Sequence, residues 1–108
     1  MLHLINKDNV VKSRVMREFN KFTCHMLRMS KKKIMDKCNM IRFYDCIKEY
    51  FEWNDCIPPY YYEVLFDESE KEIIHELWEV YLKYEGLRCG TWEDIDELIA
   101  FWIGKKVA

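Results

Sequence analysis

Five cysteines, Cys24, Cys38, Cys46, Cys56 and Cys89, together with His25 and His75, include every residue type that a zinc site or a thiol nucleophile requires. Their spacing argues against both uses. No two cysteines stand two to four residues apart, the separation that presents two metal ligands from one turn, and no glycine-rich turn or recognisable signature surrounds a thiol. The carboxylates come in adjacent pairs, Asp67-Glu68, Glu93-Asp94 and Asp96-Glu97. Neighbours on a helix diverge by about 100°, so such pairs do not converge on one reacting atom. With only Gly86, Gly90 and Gly104 in the chain, there is no backbone cradle for phosphate. The expectation is a protein without catalytic residues, metal or cofactor.

The remaining chemistry is carried by charge. Residues 1–48 hold twelve Lys or Arg against four Asp or Glu, whereas residues 49–103 hold three against fifteen; Lys105 and Lys106 bring the total to −2. Segregation on this scale bears on partners and on internal docking rather than on fold class.

Helices are the elements that must position these charges. In a chain of 108 residues that is 50% hydrophobic and 16% aromatic, three Gly and two Pro supply little turn chemistry for many short strands. The size suits one domain spanning residues 1–108, burying roughly 65% of the surface its unfolded form exposes. No apolar run reaches the roughly 18 to 20 residues of a bilayer span, and the first residues are too short and polar for a secretory signal, so a soluble protein is expected. An odd number of cysteines, several at apolar positions of the periodic pattern, fits reduced core thiols and a cytoplasmic location.

A first helix is predicted from about Asn9 to about Met29, with Asp8 or Asn9 as its cap. Val11, Val15, Phe19, Phe22, Met26 and Met29 share an arc of about 80°, and Arg14, Arg17, Lys21 and Arg28 lie within about 60° of one another on the far side. A break or kink follows between Ser30 and Asn39, where Lys31, Lys32 and Lys33 stand. From Met40, the residues Phe43, Tyr44, Ile47, Tyr50 and Phe51 define a second helix that Asn54-Asp55 and Pro58-Pro59 terminate.

Residues 60–66 read as a short helix or, from their aromatic and β-branched content, a strand. The helix is preferred because no second strand offers itself as a partner. Capping-box spacings at Asp67/Glu70 and Ser69/Glu72 precede a helix carrying Ile73, Leu77, Tyr81 and Tyr84, expected to end at Gly86 with a Glu79 to Lys83 pair outside. Thr91/Asp94 repeats the cap before Trp92, Ile95, Leu98, Ile99 and Trp102, with an end expected at Gly104. The fold expected is an all-α bundle of about four to five helices.

Two surfaces follow. The acidic helices, with Glu72, Glu76, Glu79, Glu93, Asp94 and Glu97, imitate a run of phosphates and suit a cationic groove, including that of a nucleic-acid-handling protein. Some inhibitors encoded by phages and mobile elements, anti-CRISPR proteins among them, work in this way; the likeness is one of charge. Four Trp and seven Tyr exceed what a core of this size hides, and Trp53 lies about 120° from the main apolar arc of its helix. Together with Pro58, Pro59, Tyr60, Tyr61 and Tyr62 it forms an exposed aromatic patch of the kind that anchors protein interfaces.

The sequence thus reads as a non-enzymatic protein-interaction module, an adaptor, regulator or inhibitor that docks a cationic protein. The alternative is a nucleic-acid-binding accessory protein that uses Arg14, Arg17, Lys21, Arg28 and Lys31 to Lys33. Against that alternative stand a pI near 5.9 and the lack of a second basic element to read base edges. No membrane role is expected.

Overall fold

Apolar residues recurring every three to four positions can be buried only by packing helix on helix, and five of the six helices do so. The computed structural model describes residues 6–69 and 72–107. It runs α1 (Lys7–Leu27), α2 (Lys31–Asp36), α3 (Cys38–Trp53), α4 (Pro59–Glu68), α5 (Ile73–Lys83) and α6 (Trp92–Val107), with no strand among the described residues. The all-α architecture is as expected. The helix count is higher because the predicted break after α1 itself winds into one further short helix.

Helix α1 packs on α3, α4 and α5, and α6 closes the other side against α3, α4 and α5. Between them lies one apolar cluster that includes Val11 and Val15 from α1, Phe43, Ile47 and Phe51 from α3, Leu65 from α4, Leu77 from α5, and Leu98 and Trp102 from α6. Phe19 and Phe22 close its rim, the ring of Phe22 stacked on Tyr44 at 3.9 Å. The predicted stripe of α1 is therefore its inward face, except that Met29 lies beyond the helix end.

Local signals fixed several boundaries. Asn6, not Asp8 or Asn9, caps α1, its side chain accepting from the Asn9 amide at 3.3 Å. Ser30 caps α2 through the Lys33 amide at 3.3 Å. Helix α3 starts at Cys38, ahead of Met40, and ends before Asn54, whose Oδ1 accepts from the Cys56 amide at 2.9 Å and turns the chain toward Pro58. Pro59 opens α4, where its missing amide donor is no loss, and residues 60–66 are helical as preferred. Thr91 and Asp94 form the predicted reciprocal cap, both bonds at 3.1 Å.

Other boundaries depart from the sequence reading. Ser69 does not box with Glu72; it ends α4 and donates its hydroxyl proton to Glu76 at 2.6 Å. The Asp67/Glu70 spacing cannot be followed, since Glu70 lies outside the described residues. Helix α5 stops at Lys83, and Gly86, at φ +86°, makes the left-handed turn that follows it. Helix α6 continues through Gly104 to Val107. The cysteines divide: Cys46 and Cys89 are half-buried against the core, Cys24, Cys38 and Cys56 are exposed, and all five are free thiols.

Truncating Leu77, fully buried at the meeting of α5 with α3 and α6, is expected to cost about 2–5 kcal/mol. Met35 on α2 is 67% exposed and α2 buries nothing, so Met35→Ala is expected to stay within about 0.5 kcal/mol of the parent. Urea unfolding of the two variants checks the contrast; similar losses for both would contradict this core.

Candidate functional site

Asp96, one turn into α6, holds three helices together. Its carboxylate accepts the hydroxyl proton of Tyr50 on α3, and its backbone carbonyl accepts from Tyr61 on α4 at 3.3 Å. Both phenols are raised above their ordinary range, mainly by burial and then by the Asp96 charge, so both remain proton donors. Tyr50 is completely buried. An unpaired hydroxyl there would lose its hydration with nothing in return.

This clamp sets the end of α3, the start of α4 and the first half of α6 side by side. Trp53 follows Tyr50 by three residues and is 65% exposed; Tyr60 precedes Tyr61 and is 53% exposed. Trp92, one turn ahead of Asp96 on the same face of α6, is 44% exposed. On the same helix as Trp92, Glu93 and Glu97 are exposed and take part in no ion pair among the described residues. Tyr61 is half-buried and Tyr62 lies in the core, so the three consecutive tyrosines divide between surface, clamp and interior.

The other acidic candidates are engaged within the molecule. Glu72 pairs with Lys21 at 3.7 Å, and Glu76 takes the Ser69 hydroxyl and Lys106 at 3.4 Å. Glu79 faces His75 Nε2 at 2.8 Å, not Lys83, whose ammonium lies over the Tyr84 ring. Asp94 is occupied by the Thr91 cap. Of the six acidic residues singled out from sequence, Glu93 and Glu97 alone are left without such a partner among the described residues.

The basic stripe of α1 is likewise partly consumed. Arg14 is half-buried: it donates to the Phe66 carbonyl at 3.4 Å and lies 5.1 Å from the Phe66 ring centroid, fastening α1 to α4. It stands nearest the apolar arc of the four cations, which is why the core edge reaches it. Arg17 is exposed in a shallow depression with Asn9, Lys12 and Asn20. Arg28, Lys31, Lys32 and Lys33 are exposed and pair with no described carboxylate. The cations do not form one continuous strip.

Glu18 was not singled out by sequence, although it falls about 20° outside the apolar arc of α1, where a charge must find a partner. It is 8% exposed, and its two oxygens accept from the amides of Ile74 and His75, each at 2.8 Å. A residue 56 positions upstream thereby caps α5, which has no capping side chain of its own. Burial raises the Glu18 carboxyl from 4.5 to about 7, against the two amide donors that favour its charged form. Lys21, Phe22, His25, Tyr44 and Glu72 line a small cleft of about 150 Å³ with it. Both carboxylate oxygens are committed to α5, so the cleft serves the fold.

Among the described residues no three His, Cys, Asp or Glu side chains are grouped to hold a metal ion, and no helix is long and apolar enough to cross a membrane. No family model, characterised protein or solved structure matches this chain.

Because the folded state holds the Glu18 proton more tightly than the unfolded chain, its contribution is complete below about pH 4.5 and is lost as pH rises through about 7. The stability of the parent relative to Glu18→Gln is therefore expected to fall between pH 5 and pH 8. Urea unfolding of both at each pH checks this; a relative stability that is flat or rises with pH would contradict it.

Proposed function

We propose that this chain is a non-enzymatic protein-interaction module that docks a cationic protein through the surface around Asp96. The observation that carries the reading is the exposure of Trp53 and Tyr60 close in sequence to the clamped Tyr50 and Tyr61, with Glu93 and Glu97 exposed on the helix that carries Asp96. Exposed tryptophan and tyrosine bring large apolar area at low entropic cost, and they are the residues that dominate measured interface energies. Carboxylates at the rim add little affinity of their own but speed the encounter with a positively charged partner and reject negatively charged ones.

This narrows the surface expected from sequence. Glu72, Glu76 and Glu79 are engaged by Lys21, Lys106 and His75, so the docking face consists of Trp53, Tyr60 and Trp92 with Glu93 and Glu97, and Tyr61 is its support. A cationic groove in a nucleic-acid-handling protein is one partner that such a face suits, which makes an inhibitor or regulator the favoured role. Three exposed thiols support a reducing, cytoplasmic setting.

A second reading keeps the nucleic-acid alternative at one place. Helix α2 buries nothing and presents Lys31, Lys32 and Lys33 beside Arg28. Four cations on a corner can hold phosphates without reading bases.

Affinity capture from cells that express the protein, with and without nuclease, separates the readings. Trp53→Ala with Tyr60→Ala, and separately Glu93→Lys with Glu97→Lys, are expected to reduce the captured partner at least tenfold. Arg28→Glu with Lys32→Glu is expected to leave it unchanged. Nuclease-sensitive capture that survives the first two variants and fails in the third would establish the nucleic-acid reading instead.

A further inference from the structure

A second concave site lies on α3, α5 and the loop between α5 and α6. It has a volume of about 400 Å³ and is bounded by Asn39 and Arg42 from α3, Trp78 and Tyr81 from α5, Arg88 from the loop and Asp94 from α6. That volume falls within the range of small-molecule sites, roughly 300–1,000 Å³. One wall is aromatic: Trp78 and Tyr81 are stacked at 5.8 Å with 26° between their planes, and both are backed by Phe43, each at 5.1 Å. The backing holds the rings still, so a stacking surface is already organised.

The charged groups in the lining are two arginines against one carboxylate. Arg42 and Arg88 are both exposed at the groove, and neither is in an ion pair with a described carboxylate. The only carboxylate in the lining, Asp94, accepts through Oδ2 from the Thr91 amide. Asn39 offers both a donor and an acceptor. The Tyr81 phenol is raised above its ordinary value by the neighbouring Cys89 and by burial, and so remains a neutral donor.

The geometry points to a binding site for a nucleoside monophosphate, with its phosphate on Arg42 and Arg88 and its base against Trp78 and Tyr81. Guanidinium forks match phosphate oxygens in pairs, and aromatic faces stack on any base. Asn39 and the free oxygen of Asp94 provide the hydrogen-bonding groups that a base edge needs. An acidic peptide would satisfy the arginines but leave the aromatic wall without a role. A purely apolar ligand would desolvate two cations with no compensation. The site shares no residue with the docking face around Asp96, so it stands or falls separately from that reading.

Calorimetric titration of the full chain with adenosine 5′-monophosphate, uridine 5′-monophosphate, adenosine and inorganic phosphate tests this. At least one of the two nucleotides is expected to bind saturably, with adenosine and inorganic phosphate each at least tenfold weaker, and to quench tryptophan fluorescence as it does so. Arg42→Gln with Arg88→Gln is expected to weaken the nucleotide at least tenfold while leaving the far-ultraviolet circular dichroism unchanged, since both side chains are exposed. The proposal is overturned if neither nucleotide saturates at millimolar concentration, if the double variant binds as tightly as the parent, or if inorganic phosphate alone binds as tightly as the nucleotide.

Discussion

The bond between Asp96 and the Tyr50 hydroxyl is the interaction on which the proposed docking surface depends. A carboxylate and a phenol meet at the edge of the core, where water competes poorly, and a second tyrosine, Tyr61, fastens α4 to the same turn of α6. The end of α3 and the start of α4, close in sequence, are tied to α6, with 46 positions separating Tyr50 from Asp96. Trp53 and Tyr60 are exposed close in sequence to the residues that this clamp holds. Aromatic side chains on a fixed base lose little further freedom when a partner covers them, which is the economy that makes such residues effective anchors.

Glu18 plays the corresponding part on the other side of the bundle. Its carboxylate substitutes for the missing local cap of α5 and ties that helix to α1. Around it the segregation of charge along the chain is partly resolved inside the fold, since Lys21 meets Glu72 and Lys7 meets Asp67. These outer pairs are exposed and each contributes at most about 1 kcal/mol. Their larger effect is on the surface that remains. What the first and second halves leave unmatched is a basic corner at α2 and an acidic, aromatic face around Asp96.

Much of the architecture was legible because it is encoded over short distances. The stripe from Val11 to Met26, the Thr91/Asp94 cap and the stop at Pro58-Pro59 each depend on residues within a few positions of one another, and each is found. Two kinds of error stand out, one from a remote partner and one from a competing neighbour on the same helix. Ser69/Glu72 has capping-box spacing, yet a remote carboxylate takes the amides of α5. Glu79/Lys83 has ideal helical spacing, yet His75 lies closer to Glu79. Lysine and arginine on the outer side of α1 read as free surface until α4 and α5 come to lie against them. Periodicity tells which face of a helix is wet; it does not tell which neighbouring helix shares that face. The exposure of Trp53 was visible from its angle on α3, but the role of Asp96 beneath it was not, because a single acid in an acidic helix carries no mark that distinguishes it.

Site-specific photocrosslinking in cells that express the protein tests the central claim most directly. With a benzophenone side chain in place of Tyr60, one discrete protein adduct is expected, and it disappears when Glu93 and Glu97 are reversed to lysine; with the same side chain in place of Arg17, none is expected. Adducts formed from position 17 and not from position 60, or to nucleic acid at either, would contradict it.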